Sequence, residues 1–532
     1  MTGELVPAVG SAPDALLAGR DALRRHAWSE AYELLSRADA EAALAGEDIE
    51  ALAEAAYFSA QPDVAMELGE RGFRARLAEG DPQRAAYIAL HLARQLTAFG
   101  RTSIAAAWAR RGERLVEGQP EGYAHGYLAL VRSDAARARG DLEAAIALAI
   151  EAIAIGERTR DDELRGWAMT TLGVLRIATG AAPDGLALLE EASIAAVNGE
   201  LPALASGVIC CTMIATCRDL TDYQRASEWI EATDRYCQRE SVAGFPGACR
   251  IHRAEIVALG GAWERAAEEL ERATSELAPY SMSPIQADGF YALGEIRRLE
   301  GDLAGAEEAL RKAHALGRSP HPALALVRLA QGKVEAAAAA MNAALEEEPA
   351  GAPNRPRLLA AQVEVALAAG DRASASAAVD ELARLVASYP TPAREADAAV
   401  ARGRLRLAAE DAPAAVPELR SAVRLWREVG SPYHVARSRG GPRRGAEGRR
   451  GRRGRRPRAA RRPGRVRAAR GSDRPRHDRA GDRSGRGAPG AAVAGATDVH
   501  VHRHRRLDEA RRGARRRGVG APPALARPHI AS

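Results

Sequence analysis

Few residues in this chain have the type and spacing that chemistry needs. Five cysteines lie close together, at Cys210, Cys211, Cys217, Cys237 and Cys249. Their spacing matches no zinc pattern, and no histidine pair stands at ligand spacing beside them. The expectation is five small, buried helix side chains in a reduced protein. Only two lysines occur, Lys312 and Lys333, and neither follows a Gly-rich phosphate loop. A Gly-x-Ser-x-Gly nucleophile elbow is also missing. The carboxylate runs Glu190-Glu191 and Glu346-Glu347-Glu348 read as solvated faces of amphipathic helices. His500-x-His502-x-His504 has a metal-like rhythm but sits among Arg and Gly, with no scaffold to hold a ligand set. No nucleophile or general base is marked, so no catalytic residue, metal or cofactor is expected.

The elements that would position any site come from composition and repetition. The chain has 532 residues with 46% hydrophobic side chains but only 4% aromatic ones, so burial falls to Ala and Leu. Ala is the strongest helix former, and strand formers are scarce, which points to an all-α protein. One phrase recurs: a Gly-Asp type turn followed by small or apolar residues at fixed offsets. It reads Gly140-Asp141-Leu142 with Ala145, Ala149 and Ala152, and again Gly301-Asp302-Leu303 with Ala306, Leu310 and Ala313. Further copies start at His26, Gly100, Gly180, Thr221, Gly261, Gly332, Gly370 and Glu410, with a degraded one near Ala60. From Gly100 to Gly301 the step is about 40 residues, the length of a two-helix solenoid unit. Gly accepts the left-handed backbone that ends the first helix, and Asp caps the second. Offsets of five, nine and twelve from the turn line one face of that second helix. Ala at the first and last of these offsets lets the two helices of a hairpin touch, and seven residues before the turn the first helix also carries Gly, in Leu172-Gly173 and Leu293-Gly294.

These residues resemble the tetratricopeptide repeat, with its small residue at the eighth position, Gly-Asp or Gly-Asn mid-unit, and Ala at the twentieth and twenty-seventh. The longer step is similar to that of the superhelical repeat domain of the maltose-operon activator and related large bacterial regulators. The resemblance covers about four-fifths of the chain. It implies an α-solenoid of antiparallel helix pairs, about eleven units over residues 13–437, after a disordered stretch at 1–12. It also implies that first helices line a concave side. The polar and aromatic residues expected there are Tyr87, Arg94, Tyr127, Asp134, Arg137, Trp167, Arg218, Glu255, Tyr291, Glu295 and Arg298. Aromatic anchors with Arg are what interface cores use, so a protein or peptide partner is expected in the groove. The alternative is that Tyr127 and Trp167 pack between units and that the charges are solvated surface.

Beyond Arg437 the composition changes. Residues 438–532 hold 29 Arg against 7 acidic residues, which leaves roughly −16 on the body although the whole chain carries +6. Such a segment lacks the apolar side chains needed to offset the entropy of ordering and is expected to be a disordered basic tail. Taken literally, its arginine pairs would form an arm for nucleic acid. Read from the second base of each codon, however, Val499 to Ala510 permits Phe-Met-Phe-Thr-Asp-Ile-Val-Gly-Ser-Thr-Lys, and the same frame continues to Ser532. That text resembles the opening of a class III nucleotide cyclase domain, whose first metal-binding Asp lies in a Phe-Thr-Asp-Ile motif. Here Arg503 and His504 stand in its place, so no cyclase activity is expected of this polypeptide.

The start, Met1-Thr2-Gly3-Glu4, has no basic leader region, and no apolar run is long enough to span a bilayer, so a cytoplasmic protein is expected. The leading reading is an interaction scaffold, the regulatory or sensory region of a bacterial signalling protein. Two others stay open: the N-terminal part of a cyclase whose catalytic domain is lost here, and a transcriptional regulator or nucleic-acid binder acting through the tail.

Overall fold

The structure, a computed structural model, describes residues 12–240, 248–278 and 283–440. The expectations placed on most of the N-terminal stretch and on the tail, including the basic arm, the shifted reading frame and the histidine triplet, lie outside those residues.

Among the described residues there are 23 helices and no strand. The first pairs are α1–α2 (Ala12–Arg24, Trp28–Glu41), α3–α4 (Gly46–Phe58, Pro62–Ala78), α5–α6 (Pro82–Ala98, Thr102–Val116) and α7–α8 (Tyr123–Ala138, Leu142–Thr159). The next are α9–α10 (Asp162–Ala178, Ala182–Val197), α11–α12 (Ala203–Asp219, Tyr223–Arg239), α13–α14 (Ala248–Leu259, Trp263–Glu276) and α15–α16 (Ser283–Glu300, Leu303–Ala315). Then follow α17–α18 (Ala323–Ala330, Val334–Glu347), α19–α20 (Arg355–Ala368, Arg372–Ser388) and α21–α22 (Pro392–Ala408, Ala412–Glu428), with a lone first helix α23 (Pro432–Arg439). The all-α solenoid of about eleven helix pairs is therefore the observed architecture.

Each pair is made by the chemistry read from the turn. Every inferred turn residue has positive φ, including the non-glycines His26, Ala60, Thr221 and Glu410 at 55°, 60°, 53° and 63°. The residue after the turn donates back across it, as Asp141 N does to Ala136 O at 3.0 Å, which satisfies a carbonyl left open at the end of the first helix. Asp141, Asp222, Asp302, Asp371 and Asp411 then accept from the backbone three residues on and cap their second helices. Ala145, Ala149 and Ala152 are fully buried, as are Ala306, Leu310 and Ala313. In α9–α10 the backbones nearly touch: a Cβ at Gly185 would lie 2.4 Å from Gly173 O.

Successive turns of the solenoid also touch. Tyr389 Oη donates to Asp222 Oδ2 at 2.7 Å, and Thr391 Oγ1 to Thr221 O at 3.2 Å, across 167 and 170 residues. Trp263 and Tyr433 meet edge to face at 5.7 Å between centroids. The His26 Nδ1–H donates to the Glu240 carbonyl at 2.6 Å. The coil thus returns on itself after roughly four to five units, and the first helices from α11 to α23 line one inner channel.

One expectation is corrected. Cys211 and Cys249 are joined by a disulfide between the neighbouring first helices α11 and α13, with Cα atoms 5.4 Å apart. A separation of 38 residues is nearly one unit, so the two cysteines fall at matching heights on adjacent helices. Cys210 and Cys217 are buried as expected, and Cys237 is half-buried. No helix among the described residues is long and apolar enough to cross a membrane.

The Gly173–Gly185 contact yields a prediction. Gly185→Ala must push the backbones of α9 and α10 apart and is expected to destabilise this pair by roughly 1–3 kcal/mol, the usual cost of overpacking. Amide hydrogen exchange should show protection falling first in residues 162–197. Unchanged protection there would refute the close-approach account.

Candidate ligand-binding channel

The positions that face the channel are set by the turn. Residues 13, 10, 6 and 3 places before it are three or four apart and share one face of the first helix. All eleven residues singled out in the sequence fall on these rows. Tyr87, Tyr127 and Trp167 stand 13 before Gly100, Gly140 and Gly180, whereas Arg94 and Asp134 stand six before Gly100 and Gly140. Arg137 and Arg218 lie three before their turn residues, and Glu255 lies six before Gly261. Tyr291, Glu295 and Arg298 occupy three rows before Gly301. The structure gathers them into two separate groups.

The first group, on α5, α7 and α9, fills its own space. The Tyr87 and Tyr127 rings meet edge to face at 4.8 Å, and Tyr127 is only 1% exposed. Trp167 Nε1 donates to Glu163 Oε1 at 3.2 Å, and Tyr87 Oη reaches the same oxygen at 3.4 Å. Arg94 lies over the Trp167 ring at 4.5 Å and donates to Asp134 Oδ2 at 3.3 Å, with Arg137 at 3.8 Å from the other oxygen of that carboxylate. Arg84 covers Tyr87 at 4.3 Å. Burial raises the Glu163 carboxyl above its ordinary range and lowers the His91 imidazole to about 4. The aromatic faces here are already occupied by the protein's own guanidinium groups.

The second group borders a cavity with about 190 Å³ of space open to water, enclosed by α11, α13, α15, α19, α21 and α23 and the helices around them. Arg218, 4% exposed, is its most heavily bonded cation. Its guanidinium donates to Asp219 at 2.8 Å, to Glu255 and Asp288 at 3.2 Å each, and to His252 Nδ1 at 3.0 Å. Burial alone would raise the Glu255 carboxyl, but the Arg218 charge holds it down at about 2. Burial and the Arg218 charge lower the His252 pKa, which leaves its Nδ1 as an acceptor. Arg298 grips Glu295 through two bonds of 3.0 and 3.1 Å. Arg318, from the loop after α16, pairs with Asp288 and covers Tyr291 at 4.3 Å. Glu364 takes both Arg404, at 2.9 Å, and Arg437. His434 stacks on Trp426 at 4.2 Å, and burial pushes it down to about 4.

Two lining groups stand apart from this pairing. Among the described residues, the Arg357 and Asp397 side chains make no hydrogen bond or ion pair, although Asp397 feels the charges of Arg357 and Arg404, and Arg357 those of Glu255 and Glu295. Burial raises the Asp397 carboxyl to about 6, against the pull of Arg357 and Arg404.

Sequence reasoning had omitted Glu163, His252, Asp288, Arg357, Glu364, Asp397, Arg404 and the α23 residues. The row rule reaches several of them: Asp288, Arg357 and Asp397 each stand 13 before their turn, and Glu364 and Arg404 stand six before. Arg318 lies in a loop and carries no periodic signal. No group of three His, Cys, Asp or Glu among the described residues is placed to hold a metal ion.

No family model matches the sequence, and no curated protein does. Solved structures that match the chain include two helical-repeat proteins at low identity. The anaphase-promoting-complex hetero-tetramer Cut9-Hcn1 matches over 79% of this chain and 88% of that one, at 12% identity and a TM-score of 0.31. A STAND signal-transduction ATPase with a tetratricopeptide repeat sensor, from Pyrococcus horikoshii, matches over 58% of this chain at 16% identity and a TM-score of 0.33. That second match spans 47% of the ATPase chain.

Two outcomes follow from the charges. Arg218→Met leaves Asp219, Glu255 and Asp288 without their shared cation and is expected to cost about 3–5 kcal/mol, read as a drop in the thermal midpoint. Asp397 acts in the opposite sense. Its folded-state pKa of about 6 lies above the ordinary 3.8, so ionising it weakens the fold as pH rises through that window. Asp397→Asn should therefore stabilise the protein by on the order of 2 kcal/mol at pH 8, with the gain vanishing below pH 4, in urea unfolding at several pH values. A gain that grows toward acid pH would contradict this assignment.

Proposed function

We propose that the chain is a partner-binding scaffold that takes an extended peptide segment along its inner channel. The observation that carries this reading is the convergence of the inner rows, from α11 to α23, on one cavity with aromatic and charged walls. Aromatic and Arg side chains set in such a wall are the usual anchors of recognition. Contacts between successive turns narrow the approach, which favours a segment without tertiary structure over a folded domain. We further propose the parent context: a solenoid spanning 13–437 as the regulatory region of a bacterial signalling protein, with the tail at 438–532 arising from a shifted frame. The second-base reading of residues 499–510 supports the cyclase-linked form of that parent.

The binding role is tested with a photocrosslinking amino acid at Val400, on the cavity wall, and at Val416, 43% exposed on the far side of the same helix pair. In lysate of the source cells, the Val400 position should yield a defined crosslinked band that Tyr291→Ala abolishes, and the Val416 position should not. Crosslinks from Val416 alone, or from neither, would rule the channel out as the binding face. Resequencing the locus around codon 437 tests the parent: one inserted or deleted base should restore the Phe-Thr-Asp-Ile motif, and an intact frame would exclude it.

A further inference from the structure

The cavity's charges pair off almost completely within the protein. Arg218 holds three carboxylates, Arg298 is matched by Glu295, and Arg404 and Arg437 share Glu364. What remains is one cation and one anion, Arg357 and Asp397. They occupy the same row of consecutive units, on the adjacent first helices α19 and α21, and so stand side by side on one wall. Asp397 lies in the field of Arg357 and of Arg404, and Arg357 in that of Glu255 and Glu295, yet neither closes to salt-bridge distance with a partner as their neighbours do. An ionic group without a direct partner in such a setting is less well satisfied than a well-bonded one, so each favours a partner that can reach it. A simple anion would satisfy Arg357 but meet the field of the Asp397 carboxylate, and a simple cation would meet the reverse conflict. A ligand carrying both charges meets neither. Around the two groups stand Tyr223, whose hydroxyl has no hydrogen-bond partner among the described residues, with Tyr291, Ala360, Leu326 and Val400. These walls suit a short carbon body between or beside the two charges.

We infer that this cavity is the seat of a small zwitterion of the α-amino-acid class, with its carboxylate on Arg357, its ammonium on Asp397, and its side chain against Tyr223, Tyr291 and Val400. The inference rests on the inner face being the binding face, but it names a small molecule and is tested without any protein partner. Free amino acids and the ends of short peptides share this chemistry.

The experiment is calorimetric titration of the purified full chain with each common L-amino acid and with the dipeptide Ala-Ala. The N-acetyl and carboxamide derivatives of whichever probe binds are titrated beside it. At least one free probe should bind one to one. Blocking either its amine or its carboxylate should weaken binding roughly tenfold or more, because a charge-assisted contact is lost. Arg357→Gln and Asp397→Asn should each weaken it to a similar degree with the helical circular dichroism unchanged, and Arg357→Lys should restore part of the loss. A single amino acid binding more tightly than Ala-Ala identifies the free monomer as the source, and the reverse order identifies a peptide. If no probe binds, or if binding ignores both blocked derivatives and both variants, the inference is overturned. Such a failure alongside a persisting Val400 crosslink leaves the scaffold reading intact. Probe binding without that crosslink removes the scaffold reading and leaves the zwitterion site standing.

Discussion

The reversal between paired helices requires one residue with positive φ, because only that conformation lets the chain leave the first helix and enter the second within two residues. Eleven positions from His26 to Glu410 adopt it. Glycine does so without strain. His26, Ala60, Thr221 and Glu410 adopt it with a Cβ in place, which costs roughly 1–2 kcal/mol each in an isolated chain. The fold holds them there because the flanking bonds and packing act together. Thr221, for example, also offers its carbonyl to Thr391 of the next superhelical turn.

Once the reversal is in place, the rest of a unit is counted from it. Residues after the turn face the partner helix and are small, down to the near contact of Gly173 and Gly185. Residues before it, on the 13, 10, 6 and 3 rows, face the channel. Because the coil closes after roughly four to five units, those rows lie in a confined space and their charges cannot simply be hydrated. They are paired instead, and the pairs are shared between units: Arg218 with Glu255 and Asp288, Arg404 and Arg437 with Glu364. An interior of this kind links the alignment of neighbouring units to a small set of ion pairs, because breaking one strands a charge.

What could be read from the sequence is whatever repeats at the unit length. The turn residues could be found even where glycine was replaced, since the apolar offsets around them persist. The inner rows could be found too: all eleven chosen residues fall on them, and five of these, Arg218, Glu255, Tyr291, Glu295 and Arg298, line the cavity. Closure of the superhelix could not, because the Tyr389–Asp222 and Trp263–Tyr433 contacts depend on small angles accumulated over four units. The Cys211–Cys249 bridge was hidden for a related reason: a spacing of 38 means little until adjacent first helices are known to stand side by side. Arg318 comes from a loop that obeys no period and still pairs with Asp288.

The C-terminal cavity lies beside one irregular unit. The turns at Gly301 and Gly332 are closer together than any other consecutive pair, and α17 is only eight residues long. Thirteen places before Gly332 stands Ser319, ahead of the helix, so this unit offers no inner-row residue where Tyr87, Tyr127 and Trp167 sit in theirs. The inner wall is therefore short by about two turns of helix, a gap of some 5 Å per turn along the channel. The loop partly fills it with Arg318 and Pro322, and the cavity occupies what remains. An aromatic cluster closes its space when every first helix contributes a large side chain. Where one helix falls short, the neighbouring charges of α19 and α21 are left facing a void, and the loss of about two turns of helix leaves a cavity.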